Sequence, residues 1–320
     1  MRNPFYMNSY GIRYYSSYES SLMQLSADID LVYRDLSENF ILDVSRDRLA
    51  HIQLKIFNGY YVLRPLRFKY IHKLDVLSFL SDTLPLYPDI MIGSDPKDKD
   101  SIKIVMPYDQ EDLLIFMALS IMLLRLSYGS LPEGGYRLAD GIDSFYKDIK
   151  QMRKVDRLYR IDLSTSLTKI PISLILNKIS SLVGDSTVYK LIYSFLNLPI
   201  IDDSGNYRDD IAKGGLPPAG EISRVLFNIV LMEIFDREFE KRFPGIAFTR
   251  FCNEVFISKT RHYHSSHFNE KEIVDFLKEH NLHGDVHSIQ PGDPPLECYK
   301  KIAVLNTAGD ILICDPIDYY

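Results

Sequence analysis

The chain has 320 residues, with 46% hydrophobic and 25% charged residues, a balance that fits a globular protein and excludes a disordered one. Its formal net charge of -6 and pI of about 5.8 argue against a large, uniform nucleic-acid-binding face, while leaving room for a local basic groove. Cys252, Cys298 and Cys314 are too few for a disulfide framework and form no C-x-x-C pair, which favours a reducing or matrix-like compartment over secretion.

In chain order, the opening MRNPFYMNSYGIRYYSSYESS is rich in Ser, Tyr and Arg, with no acidic residue before Glu19. Its composition is transit-peptide-like, and two readings stand for it: the uncleaved start of an organelle-encoded chain, or a plain surface arm. Helices are expected over 20–56, where Leu22, Leu25, Ile29 and Val32 share a face. A strand-like stretch Tyr60–Ile71 follows, then a charged loop, SDPKDKDS, at 94–101. Ile102–Met106 reads as a strand ended by Pro107, and Asp109–Leu126 as a helix with an acidic first turn. Its apolar run Leu113–Leu124 has 12 residues, against about 20 needed to span a bilayer, so it reads as a buried helix.

The Gly-rich turn LPEGGYRLADG leads into an expected helix Ile142–Met152, a strand Leu158–Leu163, and helices Ile172–Leu182 and Ser186–Leu196. An apolar helix Ile222–Phe239 precedes a hairpin, Phe248–Phe251 with Val255–Ser258, around Cys252-Asn253-Glu254. A helix Lys271–Glu279 and strands Ile302–Leu305 and Ile311–Cys314 complete an α+β pattern without long-period repeats.

One segment resembles a known family. Gly215-Leu-Pro-Pro-Ala-Gly-Glu-Ile-Ser-Arg-Val-Leu-Phe-Asn228 is similar to the turn and helix of group II intron-type reverse transcriptases, roughly G-I-P-Q-G-S-P-L-S-P-L-L-A-N. Gly215, Pro217, Ser223, Leu226, Asn228 and the Asp236 that ends the helix fall in register. Arg160-Ile-Asp-Leu-Ser164 looks like the strand of the first catalytic aspartate, Gly135-Tyr136-Arg137 like the upstream G-F-R turn, and Arg250-Phe-Cys-Asn-Glu-Val-Phe256 like R-Y-A-D-D-x-x. Val105-Met-Pro107 with Asp112 and Ala118 resembles the fingers segment. The resemblance implies an α+β right-hand fold, with fingers and a palm whose antiparallel sheet packs on helices; a thumb is expected to be absent, since Tyr320 follows soon after the last expected strand. The divisions expected are 1–56 for an amino-terminal arm and helices, 57–141 for the fingers and 142–320 for the palm.

Nucleotidyl transfer on such a palm uses two metal ions clamped by aspartates, and Mg²⁺ prefers anionic oxygen ligands. The resemblance places Asp162, Asn253 and Glu254 at those positions. Asn253 is neutral, and Glu254 is one methylene longer than the family's aspartate. Pro218 stands where the family has Gln, Ala219 replaces Gly, and Leu167 takes the place of a ring beneath the incoming sugar. The expectation is a vestigial site with no cofactor, with Mg²⁺ called for only if the chain is a divergent active polymerase or terminal transferase.

Two basic groups are candidates for RNA contact: Arg64, Arg67, Lys69 and Lys73 in the fingers-like stretch, and Lys147, Lys150, Arg153, Lys154 and Arg157 before the Asp162 strand. A solvated helix face is the alternative for the second group. Asp202-Asp203 and Asp209-Asp210 read as solvated turn residues, and His262, His264 and His267 lack the further ligand zinc would want. His280, His283 and His287 read as decorating a helix end and turn. Most of the 22 Tyr and 17 Phe read as core, although rings can also stack bases. The partners expected are structured RNA, an intron or ribosomal RNA, and ribonucleoprotein proteins, with no membrane and no small-molecule substrate. The expected setting is mitochondrial, as a maturase-like splicing factor or a structural subunit of an organellar ribosome.

Overall fold

A computed structural model describes residues 20–39, 43–72, 91–94, 101–128, 152, 158–211, 214–251, 253–258, 268–289, 302–305 and 311–314. The expected Gly135–Arg137 turn, Lys73, the Lys147–Arg157 cluster, the His262–His267 cluster, Cys252 and Cys298 lie outside them, as do the amino-terminal arm to residue 19 and most of the Ile142–Met152 helix. The chain forms two compact units: a first of 1–11, 131–167 and 230–320, and a second of 12–130 and 168–229.

The second unit begins with α1 (Ser21–Asn39), whose buried Leu25, Ile29, Val32 and Leu36 recur at helical spacing. Helix α2 (Arg46–Phe57) starts where the Ser45 hydroxyl accepts from Arg48 N at 3.2 Å, and it buries Leu49, Ile52 and Ile56. Strand β1 (Leu66–His72) begins later than the expected Tyr60–Ile71, because Pro65 has no N–H to offer a ladder and Gly59 turns the chain at φ 72°. It pairs antiparallel with β3 (Ser101–Met106), which also holds β2 (Met91–Ser94). Helix α3 (Gln110–Tyr128) is buried on every side through its middle, as its apolar run implies. It packs on α1 and on α5 (Ile172–Leu182), which in turn meets α6 (Ser186–Leu196). Asp185 caps α6, accepting from Thr187 N at 2.7 Å. A two-residue β5 (Ile200–Ile201) adds to β1 in parallel, so this sheet runs β2-β3-β1-β5.

The first unit carries an antiparallel sheet in the order β6-β7-β4-β8. Its strands are β4 (Leu158–Asp162), β6 (Ala247–Phe251), β7 (Glu254–Ser258) and β8 (Asp285–Ile289). Strand β8 was not expected, and it places His287 opposite Arg160 in a ladder where a turn was anticipated. Beside β8 lies α9 (Glu270–Glu279), capped by Asn269. A short α4 (Ser164–Leu167) follows β4, and the expected strands β9 (Ile302–Leu305) and β10 (Ile311–Cys314) pair antiparallel with each other.

The expected helix Ile222–Phe239 is one continuous run with an altered middle. It comprises α7 (Glu221–Leu231), a π-helical stretch Met232–Arg237 and α8 (Glu238–Arg242). The widened stretch turns Asp236 into a fully buried ion pair with Arg250 of β6. The same segments supply an aromatic cluster in which Phe235 and Phe239 stack at 5.5 Å and both meet Phe276 edge-on. The architecture is mixed α+β.

Candidate functional site

Strand β4 runs through the centre of its sheet with Leu158, Tyr159 and Ile161 buried, and it ends at the half-buried Asp162. The pleat puts paired residues on one face, so the register sets Asp162 between Glu254 of β7 and Asp285 of β8. The β6–β7 turn folds back onto this end of the strand: Leu163 N donates to Asn253 O at 2.8 Å. The Asn253 side chain then closes the gap, its Nδ2 donating to Asp162 Oδ1 at 3.1 Å. The remaining position of the trio, Glu254, is fixed by its backbone as the first residue of β7.

A second clamp holds the same strand end. Ser166 Oγ donates to His283 O at 2.7 Å and accepts from His283 N at 2.7 Å, and Thr165 Oγ1 donates to His283 O at 3.0 Å. Next in sequence, Gly284 lies so near the strand that a Cβ there would meet Asp162 O at 2.9 Å. Thr165, Ser166, His283, Gly284 and Asp285 were not anticipated. The one sequence signal for them was a glycine directly before a strand-forming stretch.

The chemistry of this arrangement follows from the amide. Two carboxylates about 3 Å apart repel unless a proton or a cation lies between them. Asn253 removes that repulsion by presenting N–H to Asp162, so the contact is an ordinary neutral-to-charged hydrogen bond. To a cation the Asn253 side chain can offer only its neutral Oδ1, a weaker ligand for a hard ion than a carboxylate oxygen. The donor set at 162 and 253 therefore falls one anionic ligand short of the paired-metal arrangement that the resemblance implies. Leu167, at the expected ring position, is buried.

The motif residues are in the second unit, apart from the end of the helix. Gly215 passes so close to Thr168 that a Cβ would stand 2.2 Å from its carbonyl carbon, which leaves glycine alone as a fit. Ser223 is fully buried, donates to Pro217 O and accepts from Ala219 N at 3.1 Å, tying the Pro217-Pro218 turn to α7. Asn228 is buried in α7, and Pro218 is half-buried.

Of the basic candidates, Arg64, Arg67 and Lys69 are described. Arg64 is gripped by carboxylates: its N and Nε donate to Asp112 Oδ2 at 3.2 Å each, and its Nη2 to Asp109 Oδ1 at 2.5 Å and Glu111 Oε2 at 3.4 Å. Tyr61 donates its hydroxyl to Asp112 Oδ1 at 2.9 Å. Burial pushes the Asp112 carboxyl up to about 6 against the pull of Arg64. Arg67 Nη2 lies 3.4 Å, and Lys69 Nζ 3.8 Å, from Asp203 Oδ1. Asp203 and Asp210 are exposed turn residues, as the sequence suggested, and each also takes part in an ion pair, Asp210 with both ends of the Arg208 guanidinium at 2.9 Å. Asp202 does organise a turn, accepting from Ser204 N and Asn206 N at 2.9 Å, and these bonds hold its carboxyl below the usual range.

Among known proteins, no family model matches the chain. A curated relative from Zea mays, an uncharacterized 39 kDa protein in mitochondrial S-1 and S-2 DNA, is 27% identical over 146 residues, 46% of this chain and 42% of that protein. The match thus spans less than half of the maize protein. Among solved structures, apo telomerase from Candida tropicalis is similar at a TM-score of 0.41 and 11% identity, over 84% of this chain and 61% of that one. The Cas6-RT-Cas1--Cas2 complex is similar at 0.38 and 16% identity, over 77% of this chain and 24% of that one.

Proposed function

We propose that this chain is a catalytically silent reverse-transcriptase-like protein, retained as an RNA-binding or scaffolding element of a mitochondrial ribonucleoprotein. The observation that carries the reading is the Asn253 amide donated to Asp162, which satisfies by hydrogen bonding a position where polymerase chemistry needs a metal-binding carboxylate. The mitochondrial setting draws on the similarity to the maize protein of mitochondrial S-1 and S-2 DNA. Among the described residues no helix is long and apolar enough to cross a membrane.

Between a splicing factor and a structural subunit of a large assembly such as a ribosome, the neutralisation of Arg64 by three carboxylates and the partial screening of Arg67 and Lys69 by Asp203 favour the subunit. A part held by protein neighbours needs less free positive charge than one that grips RNA alone. The rival is a divergent nucleotidyl transferase, favoured by the adjacent register of Glu254, Asp162 and Asp285.

The test is extension of a primer–template by the purified chain with Mg²⁺ or Mn²⁺, run beside Asp162→Ala. The expected result is no extension above background for either protein, while the chain recovers a defined RNA from mitochondrial extract at gentle salt. Extension by the unaltered chain that Asp162→Ala abolishes would overturn the reading in favour of the enzyme.

A further inference from the structure

The β1 sheet places aromatic and cationic residues in one cross-strand row. Met106 pairs with Arg67, Arg67 with Ile201, and Ile201 with Tyr207, so the four share a face. At about 4.8 Å per neighbour the row is roughly 14 Å wide. Lys69 and Asp203 extend it by two residues along their own segments. Just past β3, Tyr108 takes the Arg67 guanidinium at 5.8 Å from its ring centre and that of Arg64 at 5.5 Å. The two rings that flank Arg67 in this row are open to solvent, Tyr108 41% and Tyr207 70% exposed.

The charge on this face is small. Arg64 is saturated by Asp109, Glu111 and Asp112, and Arg67 and Lys69 share the single carboxylate of Asp203. Arg67 and Lys69 keep one positive charge between them over Asp203, the carboxylates around Arg64 outnumber it, and two exposed tyrosine rings stand alongside. A duplex offers phosphates and little base surface, so it gains little here. An unpaired strand offers bases to the rings, and stacking on each ring is worth about 1–3 kcal/mol.

We propose that this row is a binding site for single-stranded RNA, with Tyr108 and Tyr207 stacking unpaired bases and Arg67 and Lys69 taking phosphate. The inference rests on the RNA-binding reading above and narrows it to a strand class and a mode of contact. Because stacking supplies most of the affinity, the dependence on salt is shallow, with a slope set by roughly two phosphate contacts.

The experiment measures binding of the full chain to a labelled uridine-rich single strand and to a hairpin duplex of equal length, across a range of salt. The unaltered chain is expected to prefer the single strand. Tyr108→Ala with Tyr207→Ala is expected to lose at least tenfold, about 1.4 kcal/mol, on the single strand only, and Tyr→Phe at both positions to restore it. Both rings are solvent-exposed, so these variants keep their folded far-UV spectrum. Full single-strand affinity in the alanine pair overturns the stacking site and leaves the RNA reading standing. Equal affinity for duplex and single strand likewise overturns the stacking site alone. Failure of the unaltered chain to bind any RNA overturns both.

Discussion

Among the described residues, each unit has a buried arginine–aspartate pair, and the two pairs are built differently. In the first unit, Arg250 meets Asp236 with two parallel bonds, Nε to Oδ1 at 2.9 Å and Nη2 to Oδ2 at 2.7 Å. Both carboxylate oxygens are answered and both side chains are fully buried. In the second unit, Arg125 of α3 meets Asp28 of α1 through Oδ1, while Asp28 Oδ2 is buried without a hydrogen-bond partner. A buried carboxylate keeps its charge only where its lone pairs are satisfied. Burial accordingly pushes the Asp28 carboxyl up to about 7, against the opposing pull of Arg125. The first pair is a fixed strut and the second is sensitive to protons.

The strut is the sharper test. Arg250 stands on β6 three residues before Asn253, so the pair ties the π-helical stretch to the strand that delivers the Asn253 turn. Asp236→Ala leaves a guanidinium buried without its counter-charge and is expected to cost about 3–5 kcal/mol in urea unfolding. The double variant Asp236→Leu with Arg250→Met removes both charges and is expected to recover much of that loss. If the double variant is as unstable as the single one, packing rather than charge holds the strut.

The second pair predicts a pH dependence. The folded Asp28 carboxyl titrates near 7 and the unfolded one near its ordinary 3.8. Between those values the folded chain holds a proton that the unfolded chain has released, so stability is greatest at the acid end and falls as pH rises towards about 7. The slope for one proton is at most about 1.4 kcal/mol per pH unit. Asp112, raised to about 6, adds in the same direction over a narrower window. Asp28→Asn is expected to flatten the pH profile of unfolding midpoints and leave the Asp112 part. An unchanged profile in that variant would mean that Asp28 stays ionised beside Arg125.

These contrasts also mark what the sequence could reveal. Helices Ile172–Leu182 and Ser186–Leu196 were legible to the residue, because apolar spacing and the Asp185 cap are local signals. Strand β8 was not, since D-V-H-S-I is short, polar and mostly exposed. The π-helical stretch was hidden for a different reason: an apolar run looks the same whether its bonds skip four residues or five. At the site, the meeting of residues 162 and 253 was readable through order along the chain, as the resemblance supplied it. The His283 clamp and the Asp203 ion pairs were not, because they join residues 117 and 136 positions apart without a motif to announce them.

The smallest expected effect on stability comes from Asp203, the exposed counterpart of the two buried carboxylates. It is 59% exposed, lies 3.4 Å from Arg67 and 3.8 Å from Lys69, and is shared between them. Exposed pairs of this kind contribute about 0–1 kcal/mol, because water and salt screen the charges that burial leaves bare. Asp203→Asn is therefore expected to shift unfolding by less than about 1 kcal/mol, far below the Asp236→Ala loss. Its effect on binding has the opposite sense. Removing the carboxylate frees both cations for phosphate, so single-strand affinity should rise and its salt slope should steepen by about one ion. A large loss of stability in Asp203→Asn would make this carboxylate a structural anchor of the β1–β5 edge. A stable variant with unchanged RNA affinity would show that Arg67 and Lys69 do not touch phosphate, and the two tyrosines would then have to hold the strand without them.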